Sequence, residues 1–433
     1  MSEEVKPLSE IRYFTEFLEE NLKRKVLDYT LKPLTKSGHN FGAILQSVEV
    51  TVSAEYDPDK HEIYHFVAKT PLTNRSTLLQ PKWCLMKEIR FYSIVIPAIE
   101  EFERLANVPE AKRLDAFIPC IASRISLNIV AENEDSDAVL LLQNMKFQNY
   151  FTRDKHIGFD TQETFVILKN LAKMHALCIA MRRLRPELFD KKVNPYLELI
   201  NSTSNDDYQF QVQYAPANCY EYLVCSFSIF ANLSKIICKE LPLIDDISPE
   251  MRTTIVNSIR LSKEFYACSA RTIDTPYTTV VNKDFWINNI MIKQDDNSKP
   301  TKVKFYDFQL CGYESFVLDL IFFLFTSVQN EDLKTNFKTF IEHYFLEFFK
   351  TIDFAGCSME EYTFEKMWAE IRKKAKFTLF RLFVRAKITK DDQTAYLAND
   401  IADNMTPYEK PASKTILDQW KFIIEIFVEN EFF

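Results

Sequence analysis

The sequence predicts an α+β protein of two lobes, a small antiparallel-sheet N-lobe over residues 1–143 and a larger, mainly helical C-lobe over residues 144–433. Three observations carry that expectation. Ile44, Val48, Val50 and Val52 alternate at period two, and a second strand pattern runs from Glu62 to Lys69. Farther on, Phe165, Leu168, Leu171, Ala172 and Ala176 fall on one helical face. At 433 residues the chain can bury a large core and divide into two lobes.

Taken in order, the first element is a helical pattern from Ser9 to Leu27, with Ile11, Phe14, Phe17, Leu18 and Leu22 on one face and Ser9 as N-cap. Glycine is scarce, five in the chain, and two of the five lie in Gly38-His39-Asn40-Phe41-Gly42. A glycine-bearing turn between strands can fold over phosphates with its backbone amides, or can be a plain hairpin turn. The strand Glu62-Ile63-Tyr64-His65-Phe66-Val67-Ala68-Lys69 ends on a lysine in an apolar run, and a buried lysine wants a carboxylate. Glu88 is the candidate, on a helix from Trp83 to about Ala98 whose face of Leu85, Ile89, Tyr92 and Ile96 packs on the sheet. Ala138 to Leu142 is a further strand, running into Gln143-Asn144-Met145-Lys146 where the chain crosses between lobes. Asp160 then caps a long helix opening at Thr161, whose apolar row includes His175, a residue better suited to the core than to catalysis.

Composition excludes several classes. Lys plus Arg number 53 against 61 Asp plus Glu, interspersed, for a net charge of -8, so no nucleic acid partner is expected. The best apolar run, Phe316 to Phe325, contains Asp319 and is too short for a membrane span. The acidic start, Met1-Ser2-Glu3-Glu4, is no signal peptide. Nine cysteines without a CxxC pair, several in apolar segments (Cys178, Cys225, Cys268), fit free thiols in a reducing compartment and a cytoplasmic protein.

The chemistry concentrates in residues 280–309. The strand Val280-Val281 delivers Asp284, Asn289 follows five residues later, and a second strand delivers Asp307 immediately before Phe308. Phosphoryl transfer needs a carboxylate to accept the hydroxyl proton and hard oxygen ligands that set Mg²⁺ against nucleotide phosphates. Asp284 fits the base, Asn289 and Asp307 the metal ligands. Read alone, these segments are equally a polar hairpin flanked by ordinary loop carboxylates.

Several segments together resemble the choline/aminoglycoside-kinase-like group and, within it, the insect ecdysteroid kinase-like family, also described as juvenile hormone-inducible proteins. Gly38-His39-Asn40-Phe41-Gly42 is similar to G-E-N-[FY]-A, Phe66-Val67-Ala68-Lys69-Thr70-Pro71 to F-[IV]-x-K-x-x-P, and Glu88-Ile89-Arg90-Phe91-Tyr92 to E-I-x-F-Y. Leu171-Ala172-Lys173-Met174-His175-Ala176, Asp284-Phe285-Trp286-Ile287-Asn288-Asn289-Ile290-Met291 and Tyr306-Asp307-Phe308-Gln309, with Leu318-Asp319-Leu320 downstream, complete the set. The resemblance implies a protein-kinase-like fold and ATP with Mg²⁺. It implies a nucleotide site of Lys69 held by Glu88, a phosphate-covering turn of Gly38, Asn40, Phe41 and Gly42, and a hinge at Gln143 and Met145. Asp284 would be the catalytic base in a loop spanning 280–292, with metal held by Asn289 and by Asp307 in the segment 303–309.

The chain departs from the family where H-G-D becomes Asn282-Lys283-Asp284 and the hinge E-D becomes Gln143-Asn144. Asn282 can donate a bracing hydrogen bond from a shorter side chain than histidine. Lys283 costs about 1–2 kcal/mol if the site demands positive φ, and weakens the base if it pairs with Asp284. The departures also fit a pseudokinase that binds nucleotide or a lipophilic ligand without turnover. Residues 195–270 carry Tyr196, Tyr208, Phe210, Tyr214, Tyr220, Tyr222, Phe227 and Phe230. Such composition suits an apolar alcohol such as an ecdysteroid, and equally a helical core.

Overall fold

The computed structural model of the chain describes residues 10–34, 43–55, 60–71, 83–128, 130–131, 135–197, 232–267, 275–390 and 411–433. The first helix, α1, is Phe14–Leu22, shorter than the Ser9 to Leu27 pattern. It stops at Lys23, whose φ of 55° breaks the helical ladder. Val26–Pro33 is instead an edge strand, β1, paired antiparallel with β2, Ile44–Ser53. Its largely exposed side chains give no alternation to read, and pairing with β2 decides its conformation.

Adding β3 (His61–Thr70), β4 (Cys120–Arg124) and β5 (Val139–Gln143) gives an antiparallel sheet of order β1-β2-β3-β5-β4. One face buries Val48, Val50, Val52, Phe66 and Ala68 under Phe14, Phe17 and Leu18 of α1. Against the other lies the helix that begins as α2, Trp83–Arg90, widens into a π turn over Phe91–Val95 and continues as α3, Ile96–Leu105. It runs past the expected Ala98. Pro97 supplies no N–H to the helical ladder, and the π turn lies immediately before it. Leu85, Ile89, Tyr92 and Ile96 are all buried, in a core shared with the helical part of the chain.

After β5 the chain makes a 3-10 turn, Met145–Gln148, and a short strand β6, Tyr150–Phe151. The long helix α4, Thr161–Leu184, is closed by a full capping box: Asp160 accepts from the Glu163 amide and Glu163 accepts from the Asp160 amide. Of all the described helices it is the one long and apolar enough to cross a membrane by length and composition, which displaces Phe316 to Phe325 as the most span-like segment. Most of that stretch is buried inside the fold, as expected of a core helix. Gly158, at φ 84°, lets its backbone approach Ser327 and Gln329, where a Cβ would sit 3.1 Å from backbone atoms.

Two small sheets carry the loops that hold Asp284, Asn289 and Asp307. Strand β7, Thr278–Val281, pairs with β10, Gly312–Ser315, while β8, Ile290–Gln294, joins β6 to β9, Pro300–Phe305. Helices α5 (Val317–Ser327), α6 (Asn330–Phe354), α7 (Leu379–Thr389) and α8 (Lys414–Glu429) pack around them.

Candidate active site

Lys69 projects from the end of β3 to Glu88 on α2 and to Asp307 Oδ1 at 2.9 Å. Glu88 is 1% exposed, so the lysine that the strand pattern left in need of a carboxylate finds two. Burial alone would lower the Lys69 pKa, but Asp307 and Glu88 outweigh it and hold the ammonium above its ordinary range. Burial pushes Glu88 up to about 7 despite Lys69. The two shifts differ in their leading cause: burial raises Glu88, with the Asp307 charge adding to it, whereas the two acids raise Lys69 against its burial.

Asp307 is placed by its neighbour. Phe308 is buried and stacks on Phe91 of the π turn at 4.0 Å between centroids, with Phe117 edge-on at 5.5 Å. That anchoring holds Asp307 at φ 62°.

The loop between β7 and β8 is fixed from below by Asp319, 1% exposed at the start of α5. Its carboxylate accepts the amides of Asn282 at 2.6 Å and Lys283 at 2.9 Å. Asn282 then spans the site: its Nδ2 donates to the Asp307 carbonyl at 3.2 Å and its Oδ1 accepts the Asp284 amide at 3.0 Å. The amide side chain therefore makes the bracing bond that its chemistry allows. Asn289 donates through Nδ2 to the Asp284 carbonyl at 2.8 Å, which turns its Oδ1 the other way, available to a cation. Hydrogen bonds thus link Glu88, Lys69, Asp307, Asn282, Asp284 and Asn289 in one continuous path.

Asn289 Oδ1 and the Asp307 carboxylate fit Mg²⁺, which takes one or two protein oxygens and completes its shell with substrate phosphates and water. Among the described residues no group of three His, Cys, Asp or Glu side chains is placed to hold a metal without a substrate.

Sequence reading missed the partners of Asp284. Arg385 Nη2 at 2.6 Å and Arg381 Nη2 at 3.1 Å both donate to its Oδ1. They come from α7, about a hundred residues downstream. Lys283, which sits beside Asp284 in the chain, does not pair with it. Its backbone does take positive φ, 64°, and burial with Lys87 nearby lowers its ammonium to about 8, facing Glu314 and Cys311. His175 is a core residue: fully buried, its Nδ1 lies 2.8 Å from the Tyr344 hydroxyl and its Nε2 3.5 Å from Asp319.

Gln143 closes β5, half-buried, its amide bonded to the Pro119 carbonyl at 2.9 Å, and Met145 is buried in the shared core. Gly38, Asn40, Phe41 and Gly42 lie outside the described residues, as do Tyr208, Phe210, Tyr214, Tyr220, Tyr222, Phe227 and Phe230. Tyr196 is partly buried under the Arg90 guanidinium at 5.7 Å. Of the cysteines read as free, Cys178 is buried and unbridged, while Cys225 and Cys268 are outside the described residues.

A sheet-borne lysine paired to a helix glutamate, set over an Asp and Asn loop and a second Asp, defines a protein-kinase-like small-molecule phosphotransferase. More particularly, residues 37–356 match the sequence model of the ecdysteroid kinase-like family, and the chain belongs to that family. No curated protein matches it in sequence. Solved structures similar to it include an amicoumacin kinase in complex with AMP-PNP, Ca²⁺ and Ami, at 12% identity over 90% of this chain and 88% of that one, TM-score 0.38. An ethanolamine kinase from Plasmodium vivax is 11% identical over 96% of this chain and 89% of its own, TM-score 0.39. A GDP complex of an aminoglycoside 2'-phosphotransferase is 10% identical over 97% and 100%, TM-score 0.37.

Proposed function

We propose that this protein is an ATP-dependent kinase that phosphorylates a hydroxyl of a lipophilic small molecule, an ecdysteroid-like alcohol, in the cytosol. The observation that carries this reading is the continuous hydrogen-bonded path joining Lys69, Glu88, Asp307, Asp284 and Asn289. In the reaction the acceptor hydroxyl gives its proton to Asp284 as its oxygen bonds to the γ-phosphorus. The bond from that phosphorus to the β,γ-bridging oxygen breaks, and its electron pair leaves on ADP. Lys69, oriented by Glu88, offers its ammonium to the nucleotide phosphates. Asn289 and Asp307 would hold Mg²⁺, which neutralises phosphate charge when bound.

The lipophilic acceptor rests on the aromatic composition of residues 195–270 and on the family. A reducing compartment is supported by buried, unbridged Cys84, Cys178 and Cys311. ADP release measured with a panel of ecdysteroids and other lipophilic alcohols tests the reading. Asp284→Asn should lower turnover by about 10²–10⁴-fold while MgATP still binds; equal turnover of the two proteins removes Asp284 from its role.

One observation favours a second reading, a nucleotide-binding pseudokinase: Arg381 and Arg385 both engage the Asp284 carboxylate. MgATP binding without ADP release for any acceptor would establish it.

A further inference from the structure

The last residues of α5, the start of α6, the final turns of α7 and the turn before Gly158 enclose a cavity of about 220 Å³. Pockets that swallow a whole drug-sized ligand run to about 300–1,000 Å³, so this one fits a small ion or one end of a larger molecule. Arg385 stands in its wall and also donates to Asp284 Oδ1 at 2.6 Å. The same guanidinium lies 3.9 Å from the Trp286 ring centroid and 5.6 Å from that of Phe322. The cavity therefore begins one side chain away from Asp284.

Charge decides what it takes. Among the described residues its lining carries Lys155, Arg385 and Lys390, all half-buried, with His156 beside them, against a single acid, Glu331, which is exposed. Arg385 already has an anionic partner in Asp284, so the excess rests on the two lysines. Among the described residues no carboxylate pairs with either ammonium. Burial holds the Lys390 ammonium below its ordinary range, and no acid opposes that shift. An anion entering the cavity would supply the missing counter-charge.

The backbone points the same way. Gln329, Asn330 and Glu331 on the cavity wall are the N-cap and first two residues of α6, a helix of 25 residues. The Gln329 side chain makes no capping bond and donates instead to the Gly158 carbonyl at 3.5 Å. The first-turn amides of α6 thus lack a side-chain cap beside the cavity, at the helix end where negative charge is favoured. The walls are fixed: Asn330 Nδ2 donates to Gln419 Oε1 of α8 at 2.9 Å, and Lys387 of α7 is bonded to Glu240 at 2.7 Å.

We propose that this cavity is an oxyanion subsite that holds a carboxylate, sulfate or phosphoryl group between Lys155, Lys390 and the start of α6. Two sources share that chemistry, a free small anion and the acidic end of the alcohol whose hydroxyl meets Asp284. The second source rests on the kinase reading above; the subsite itself does not.

Calorimetry on the full chain at constant ionic strength tests it. Sodium sulfate should bind saturably, with MgATP present as well as without. Lys390→Ala and Lys155→Ala should each weaken sulfate about tenfold or more, because each removes a charged donor. Glu331→Gln, which removes the acid from the wall, should tighten sulfate by about two- to fivefold, a gain that a merely structural role for these side chains would not give. An unchanged thermal melt shows that each variant is folded. Cholate, a hydroxylated steroid ending in a carboxylate, and its methyl ester separate the sources. A preference for the acid that disappears in Lys390→Ala assigns the anion to the acceptor, and sulfate binding without such a preference assigns it to a free ion. Sulfate binding that MgATP displaces, or that both lysine variants leave unchanged, overturns the proposal, as does no sulfate binding at all. Sulfate binding in a folded protein that ignores MgATP would remove the kinase reading and leave the subsite standing.

Discussion

The two ends of the candidate site are charge-inverted. At one end a single cation, Lys69, is shared by two carboxylates, Glu88 and Asp307; at the other a single carboxylate, Asp284, is shared by two cations, Arg381 and Arg385. At the first end Glu88 and Lys69 are enclosed, 1% and 9% exposed, while Asp307 opens to 26%, and burial of the first two moves their pKa values strongly. At the second, all three partners are between 17% and 19% exposed. An enclosed cluster acts chiefly on stability and orientation, whereas a half-open one can trade partners with an incoming ligand at small cost.

The largest effect should come from breaking the enclosed end. Lys69→Met leaves two acids facing each other and should destabilise the fold by about 3–5 kcal/mol at pH 8, less at pH 6 where Glu88 can take a proton. Urea melts at both pH values check it, and a loss that does not depend on pH would deny the shared-cation account. Next, Asp319→Asn tests whether the half-open end depends on its buried support. The anionic acceptor of the Asn282 and Lys283 amides would be gone, for about 2–3 kcal/mol. Turnover should fall further than stability alone explains, because Asn282 positions both Asp284 and Asp307.

Third in size is a pH slope. Folded Glu88 holds its proton up to about pH 7, whereas the unfolded chain releases it near its ordinary 4.5. More protons are bound in the native state across that window, so stability should fall as pH rises through it, by on the order of 1–3 kcal/mol. Glu88→Gln should flatten that part of the stability profile, and an unchanged slope would relocate the proton. The smallest effect belongs to Lys283, held at φ 64°. Lys283→Gly should be more stable than Lys283→Ala by about 1 kcal/mol or less, because both lose the ammonium that faces Glu314 and glycine alone relieves the left-handed strain, less its own entropy. Lys283→Ala keeps the strain and serves as the control, so equal stability of the two variants would show that strain is not the cause.

The same inversion marks what was legible in the sequence. An apolar strand ending on Lys69 demanded an acid, and a following helix supplied Glu88. Asp284, Asn289 and Asp307 announced themselves through strand-loop-strand spacing, since Asp284 and Asp307 follow the ends of short strands and Asn289 immediately precedes one. Arg381 and Arg385 had no such signal: they are 97 and 101 residues from Asp284, on an ordinary amphipathic helix where arginine normally reads as surface. Only tertiary packing of α7 against Trp286 and Phe322 gives them a role. Val26–Pro33 was hidden for a related reason, because an edge strand open to water shows no apolar alternation. The Asn282 brace was foreseeable from amide chemistry alone, while the π turn at Phe91–Val95 could be recognised only once Phe308 was seen stacked on it.

That stack ties Asp307, proposed above as a metal ligand, to Glu88, proposed as the residue that orients Lys69. Phe308 follows Asp307 directly and Phe91 lies three residues beyond Glu88, so a pull on either acid is felt by the other through two rings in contact. On that reading magnesium and nucleotide should bind with positive thermodynamic coupling, each raising the affinity for its companion by the same factor.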